Sequence, residues 1–137
     1  MLPIIITRRL TGRNARNWPG LVILGKGIRH PAAVCAQEVY ESRWKMNPVN
    51  LLRRAVSKSA NREMEIMGHE VEVQAAVRIY GVAEAAYRRK EAASMIRGYD
   101  GLFQGFSAGG LEAAMADKAD KARRWVSRNI RLIEEYR

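Results

Sequence analysis

The sequence predicts an α+β fold dominated by helices, with short N-terminal strands followed by about four to five helices. Two short apolar runs near the N-terminus, residues 4–6 and 21–24, have the length of strands. Beyond them, apolar residues recur at helical spacing, and proline and glycine divide the chain into segments of helix length. No internal repeat and no long linker separates these segments, so residues 1–137 are expected to form a single domain.

The N-terminal part predicts two strands with a loop between them. Residues 3–10 alternate between two faces, with isoleucine on both. Residues 11–20 contain two glycines, a proline and two asparagines, and therefore predict a basic loop. Residues 21–24 predict a short buried strand that two following glycines close.

Proline and glycine set the limits of the first three predicted helices. Pro31 suits the first turn of a helix that must end before Pro48, because a proline ring pushes the preceding residue out of helical geometry. A second helical stretch covers residues 49–56. Asn61 can cap a third helix, which reaches residue 80 and is stopped by Gly81.

The remaining sequence predicts two more helices and one loop. Residues 82–96, rich in alanine, form the fourth helix, and residues 98–110, with five glycines, form a flexible loop. Residues 111–136 predict one long last helix. Its apolar stripe consists of residues spaced three or four apart: Leu111, Met115, Ala119, Ala122, Val126, Ile130 and Ile133.

Composition predicts a folded cytoplasmic protein. Hydrophobic residues make up 47% of the chain and charged residues 28%, which excludes a disordered sequence. The N-terminal apolar run is too short to span a bilayer and lacks the charge order of a secretory signal, so a cytoplasmic location is expected. The single cysteine, Cys35, excludes an internal disulfide and a cysteine-based zinc site.

The net charge of +10 is distributed unevenly. Residues 1–37 carry +6 and contain no acid, residues 38–72 are neutral, and residues 73–137 carry +4. The chain therefore combines basic outer segments with a locally acidic centre. The basic segments favour a polyanionic partner such as nucleic acid or an acidic protein surface, and the centre is where a cation could bind.

The acidic centre contains two motifs. In the first, Gln37-Glu38-Val39-Tyr40-Glu41, the residues Gln37 and Glu41 share one helix face. The second is Glu70-Val71-Glu72-Val73-Gln74-Ala75. Together with the preceding strand and glycine turn, these motifs resemble the zincin-like metallopeptidase core over residues 21–80, with residues 82–137 as a helical extension. The chain's size and arginine-rich composition also resemble small proteins of tailed phages.

The resemblance implies a role for each motif residue. Glu38 maps to the general base of the HExxH helix, Gln37 and Glu41 map to its paired metal ligands, and Glu70 maps to the third ligand. Both histidines of that helix are absent, so zinc would be held poorly. Carboxylates suit harder divalent cations such as magnesium, calcium or manganese. A shared cation requires the carboxylates of Glu41 and Glu70 to lie within roughly 4–5 Å of each other.

Other readings of these residues involve no metal. Glu38 and Glu41, with Arg43 and Lys45 nearby, could form a solvated, salt-bridged helix face. His69 is spaced four residues after Glu65 and three before Glu72, which favours a histidine held by carboxylates over a metal ligand.

A second candidate site lies on the predicted last helix. Four basic residues form a line along it: Lys121, Arg124, Arg128 and Arg131. Trp125 lies between this line and the apolar stripe, as an aromatic at the edge of a phosphate-binding surface would. The exposed back of any basic amphipathic helix has the same pattern. No recognised DNA-reading module accompanies it.

Three functions are consistent with these features. The first is a non-hydrolytic, zincin-like phage-type protein that acts as a binding or virion-associated component. The second is a metal-dependent, peptidase-like hydrolase that uses Glu38. The third is a basic helical protein that binds nucleic acid or a host protein. We expect no zinc-dependent proteolysis, because without a tightly held zinc little lowers the pKa of a bound water.

Overall fold

The computed structural model describes residues 2–8, 15–81, 85–99 and 101–137. These residues form three strands and six helices, which confirms the helix-dominated α+β prediction. The strands are β1 Ile4–Arg8, β2 Ala15–Trp18 and β3 Leu21–Gly25. The helices are α1 Pro31–Met46, α2 Pro48–Val56, α3 Lys58–Tyr80, α4 Ala85–Ile96, α5 Ala108–Asp117 and α6 Ala119–Glu134.

The three strands form one sheet with β3 in the centre. β1 pairs parallel to β3, and β2 pairs antiparallel to it through a tight turn in which Gly20 has a φ of 78°. The prediction of a loop over residues 11–20 is therefore wrong for β2. Its sequence, Ala-Arg-Asn-Trp, has little strand character of its own, and pairing with β3 supplies the missing stabilisation. Residues 9–14, at the end of the first predicted strand and the start of the loop, lie outside the described residues.

The two faces of the sheet have different environments. Val22 and Leu24 of β3 are buried in the core that the sheet shares with α1. Residues in the alternate register positions, Ile4 and Ile6 of β1 and Trp18 of β2, are exposed. The sheet therefore covers α1 with one face only.

The limits of α1 and α2 follow the prolines as predicted. Pro31 stands in the first turn of α1, and the helix ends at Met46. Asn47 adopts an extended conformation, as expected before Pro48, and its side chain caps α2 by accepting a hydrogen bond from the backbone of Val49.

Helix α3 begins earlier than predicted. Ser57 caps it, so the prediction that Asn61 would be the cap is wrong. Asn61 lies one turn inside the helix, where its side chain bonds to Arg54. At the other end Gly81 stops the helix as predicted, with a φ of 116° that favours glycine.

The C-terminal part differs from the sequence prediction in two places. Residues 98–99 and 101–107 form hydrogen-bonded turns around the buried ring of Phe103, and α5 begins at Ala108 with Ser107 as its cap. The predicted long last helix is divided at Lys118 into α5 and α6. Val82, Ala83 and Glu84, predicted to start the fourth helix, lie outside the described residues.

Two apolar clusters hold these elements together, and α3 contributes to both. The larger cluster joins the sheet, α1, α3 and α6, and the smaller one joins α3, α4, α5 and Phe103. The face of α3 toward α1 also carries the polar residues of the candidate site. Within the described part of the chain, no helix is long and apolar enough to cross a membrane.

Candidate functional site

The candidate site lies between α1 and α3, which approach each other closely at Gly68. A Cβ atom at this position would lie 2.7 Å from the Oε1 atom of Glu41. The absence of a side chain on α3 therefore makes room for the carboxylate of Glu41 inside the helix pair.

The three motif residues of α1 all lie in this interface. Gln37 and Glu38 are each 8% exposed, and Glu41 is 4% exposed. The alternative that Glu38 and Glu41 form a solvated helix face is therefore wrong. Burying a carboxylate is costly unless it is hydrogen-bonded or paired, so each of these groups needs a partner.

Asn17 of β2 supplies the partner for both carboxylates. Its Nδ2 atom donates to Glu38 Oε2 at 2.5 Å and to Glu41 Oε2 at 2.8 Å. Its Oδ1 atom accepts from Lys45 Nζ at 2.7 Å. The side-chain amide of Asn17 thus binds Glu38, Glu41 and Lys45. These bonds hold β2 against the C-terminal half of α1. The sequence prediction missed Asn17 because it placed this residue in a loop.

His69 of α3 lies between two glutamates of its own helix, as the sequence predicted. Its Nε2 atom is 3.6 Å from Glu65 Oε2, and its Nδ1 atom is 3.5 Å from Glu72 Oε2. Both contacts are ion-pair distances longer than a good hydrogen bond, and Nδ1 makes no hydrogen bond to a described residue. Gln37 of α1 lies beside this group, where its Nε2 atom donates to Glu41 Oε1 at 3.3 Å and lies 3.4 Å from His69 Nε2.

Burial and neighbouring charges shift the ionisation of these groups. Burial raises the pKa of Glu38, against the opposing effect of the hydrogen bond from Asn17. Burial, with the repulsion of Glu65 and Glu38, raises the pKa of Glu41 well above its usual value. Burial lowers the pKa of His69, but the carboxylates of Glu65 and Glu72 outweigh it and raise the pKa to about 10. His69 is therefore an imidazolium at neutral pH.

Lys45 and Glu72 complete the charge balance of the interface. Burial lowers the pKa of Lys45, although Glu41 opposes the shift. Burial alone would raise the pKa of Glu72, but its contacts with His69 and Arg88 lower it. Arg88 of α4 donates to Glu72 Oε1 at 2.7 Å, and its other terminal nitrogen lies 2.7 Å from His30 Nδ1. The network thus extends from β2 through α1 and α3 to α4.

Glu70 does not join this network. Its two carboxylate oxygens accept hydrogen bonds from Arg89, with Nε to Oε1 at 2.6 Å and Nη2 to Oε2 at 2.9 Å. Successive residues of a helix point about 100° apart. Since His69 lies on the side of α3 near α1, Glu70 points away from α1. The structure therefore brings Gln37, Glu38 and Glu41 together, and pairs the expected third ligand with α4 instead.

The donor set does not fit a zinc ion. Among the described residues, no group of three or more histidine, cysteine, aspartate or glutamate side chains is arranged to hold a metal. His69 would have to lose a proton before it could act as a ligand, and the carboxylates of Glu38 and Glu41 already accept from Asn17. The hydrogen bonds and ion pairs between α1, α3 and β2 compensate the buried charged groups.

The second candidate site, on α6, is exposed as predicted for a basic helix face. The exposed residues are Lys121, Arg124, Arg128 and Arg131. Trp125 differs from the prediction, because it is 8% exposed and its ring contacts Tyr40 at a centroid distance of 5.8 Å. It therefore belongs to the core and offers no stacking platform for a base.

Comparison with protein-family models finds no family that matches this sequence, and comparisons with curated proteins and with solved structures find no similar chain.

Proposed function

We propose that this protein is a non-hydrolytic binding protein, a zincin-like phage-type component of the virion or of the host cytoplasm. In this proposal, the helix pair that carries catalysis in a metallopeptidase serves as a polar structural core. One observation carries it: the Glu38 carboxylate is buried and bound by Asn17, which also binds Glu41 and Lys45. A general base needs access to a water and a substrate, and Glu38 is only 8% exposed, with its Oε2 atom accepting from Asn17.

The exposed charge supports the binding part of the proposal. Residues 1–37 carry +6 without an acid, and the basic residues among them whose exposure is described, Arg16, Lys26 and Arg29, are exposed. Helix α6 presents four exposed basic residues in a line. Such surfaces attract phosphates or carboxylates from a distance and speed association with an anionic partner. Nucleic acid and an acidic protein surface are both partners of this chemistry.

The test is a measurement of metal content together with proteolysis. Purified protein dialysed against zinc is analysed for bound metal, and casein cleavage is followed for the wild type and for Glu38→Gln. We expect substoichiometric zinc and no cleavage by either protein. Near-stoichiometric zinc with cleavage that Glu38→Gln abolishes would overturn the proposal.

A metal-dependent hydrolase is the second candidate. The observation that favours it is the raised pKa of Glu38 in a cluster that also contains Glu41 and His69, since perturbed carboxylates gather at catalytic sites. The cations to test are magnesium, calcium and manganese, because carboxylate oxygens suit these harder ions better than zinc. The same assay with each of these cations separates the two candidates, and cation-dependent cleavage lost in Glu38→Gln would select the hydrolase.

A further inference from the structure

Helix α6 presents one strongly basic side to solvent. Residues 121–131 contain five basic residues and no acid, so the positive charge is concentrated in this stretch. Steps of three and four residues return to the same side of a helix. Four of the five basic residues, all exposed, share one side in this way, and we call them the α6 basic line: Lys121, Arg124, Arg128 and Arg131.

The protein holds the α6 basic line in place without neutralising it. The other side of the helix is buried through Ala122, Val126 and Ile133. The fifth basic residue, Arg123, lies off the line and pairs with Asp120 at 2.7 Å. Within the described part of the chain, no carboxylate pairs with a member of the line. Its charge is therefore available to a partner.

The spacing of the line matches a phosphate backbone. Its members are separated by about 4.5–6 Å along the helix axis, and the distance from Lys121 to Arg131 is about 15 Å. One strand of B-DNA presents a phosphate about every 3.4 Å along the duplex axis, so the line can contact several phosphates of that strand. Three of the four residues are arginines, whose planar guanidinium groups donate in pairs to phosphate oxygens.

We propose that the α6 basic line binds the phosphate backbone of duplex nucleic acid without reading its sequence. This inference rests on the proposed binding role of the chain and names its partner. Backbone contacts fix a protein on a duplex but carry no base information.

An acidic protein surface matches the line less well than a duplex does. Protein interfaces depend on a core of aromatic and apolar anchors, with charged groups at the rim. None of the large apolar side chains that the described residues expose lies on α6. The absence of such a side chain also argues against a membrane, because a helix that lies on lipid inserts an apolar face. Contact through charge alone is typical of binding to a nucleic-acid backbone.

The line also favours a duplex over a single strand. Proteins that bind single strands stack the bases on aromatic side chains. Trp125, the aromatic residue of α6, is 8% exposed and packs against Tyr40. A duplex needs no aromatic platform, and its two strands together carry a higher density of phosphate charge than one strand.

The test is a titration of a DNA duplex of about 20 base pairs, followed by fluorescence anisotropy at several salt concentrations. The wild type is compared with the double variant Arg124→Gln/Arg128→Gln and with the control Arg53→Gln/Arg123→Gln. Both double variants lower the net charge equally. The two control residues are exposed, lie off the line and each pair with a carboxylate.

We expect the variant of the line to lower the salt slope of binding by about 1.8, because it removes two phosphate contacts. At about 50 mM salt it should bind the duplex at least about tenfold more weakly than the wild type. The control should bind within about threefold of the wild type, since charges outside the contact are screened by salt. An RNA duplex of the same length distinguishes DNA from RNA as the source of the phosphates.

Four results would overturn the inference. Equal weakening by the two double variants would mean that the whole-chain charge, and not the line, attracts the duplex. Tighter binding of the unpaired strand than of the duplex would assign the line to single strands. Failure of the wild type to bind any duplex would exclude this partner. Binding of an oligo-aspartate peptide or of phosphatidylglycerol vesicles in place of the duplex, lost in Arg124→Gln/Arg128→Gln, would assign the line to an acidic protein or to a membrane.

Failure of this inference differs from failure of the proposed function. Binding of oligo-aspartate through the line would leave the binding role intact with another partner. Near-stoichiometric zinc with casein cleavage that Glu38→Gln abolishes would overturn the non-hydrolytic role, and it would leave the contact between α6 and the duplex unaffected.

Discussion

Asn17 holds two buried carboxylates and one ammonium group through a single side-chain amide. We expect Asn17→Ala to lower the free energy of unfolding by about 2–4 kcal/mol, because it leaves buried charged groups without their hydrogen bonds. Urea denaturation at neutral pH measures the change.

Asn61→Ala is the matched control for this variant. Asn61 also makes side-chain hydrogen bonds, but they go to Arg54 at the surface, and alanine is a better helix former. We expect its stability to change by less than about 1 kcal/mol. Equal effects of the two substitutions would mean that Asn17 contributes no more to the free energy of unfolding than a surface residue does.

His69 predicts a dependence of stability on pH. Its pKa is raised from 6.5 to about 10, so the folded protein holds a proton that the unfolded chain releases. The corresponding stability is present in full below pH 6.5 and is lost as pH rises toward 10. One proton corresponds to about 1.4 kcal/mol per pH unit, so we expect a loss of about 2–3 kcal/mol between pH 7 and pH 9.

His69→Gln isolates this contribution from those of its neighbours. Glu38 and Glu41, with raised pKa values, change stability in the same direction, and Lys45, with a lowered pKa, changes it in the opposite direction. Denaturation of both proteins at the two pH values gives the difference in slope. If the wild type and His69→Gln lose the same stability, His69 is not the group that titrates.

Residue spacing predicted part of the candidate site. The spacing of four between Gln37 and Glu41, and the spacing of His69 from its two glutamates, are properties of one helix and can be counted along the chain. The pairing of Glu70 with Arg89 depends on how α4 packs against α3, which no local pattern encodes. Asn17 was missed for the same reason, since its role exists only once β2 has paired with β3.

At the scale of elements, the contact of α1 with α3 depends on Gly68. Replacing a glycine inside a helix with alanine ordinarily stabilises by about 1 kcal/mol. At Gly68 the new Cβ would lie 2.7 Å from the Glu41 carboxylate and would displace it from its partners. We therefore expect Gly68→Ala to lower the free energy of unfolding by about 1–3 kcal/mol, measured by denaturation.

Gly109→Ala provides the control at an open position of α5. A Cβ atom there would meet no other atom within 4 Å. We expect this substitution to be neutral or slightly stabilising. A stabilising Gly68→Ala would show that α1 and α3 can move apart at little cost.

Proline and glycine correctly predicted the limits of α1 and the end of α3, but some limits were missed, including the start of α5 inside the predicted glycine-rich loop. The break at Lys118 is another example, because the apolar spacing continues from Met115 to Ala122 as if one helix ran through. The backbone N–H of Lys118 bonds to the oxygen of Met115 in a tightened last turn, and α6 then starts afresh. An amphipathic pattern predicts which side of a helix faces the core. It does not reveal a break between two helices when the apolar residues keep the same spacing across the break.

At the scale of the molecule, the exposed line on α6 predicts salt-dependent binding to polyanions. If Arg124 and Arg128 contact phosphates, replacing both with glutamine should lower the salt slope of binding by roughly 0.7–0.9 for each contact. Binding to DNA or RNA should weaken about equally for all sequences, because phosphate contacts carry no base information. Fluorescence anisotropy at several salt concentrations measures the slope.

Stability serves as the internal control for the α6 variants. Both arginines are exposed, so the free energy of unfolding should change by about 1 kcal/mol or less. Since Trp125 is buried, no base stacking should add to the affinity. A wild-type protein that is not retained on heparin at moderate salt would assign this charge to a protein partner or to solubility.

The larger core joins parts of the chain that a ribosome makes at different times. Val22 of the sheet and Ile133 of α6 belong to the same buried cluster, as do Met67 and Val71 of α3. At roughly 5–20 residues per second, several seconds of synthesis separate α3 from α6. During that interval the apolar side of α3 that α6 will cover has no native partner, so aggregation can compete with folding there.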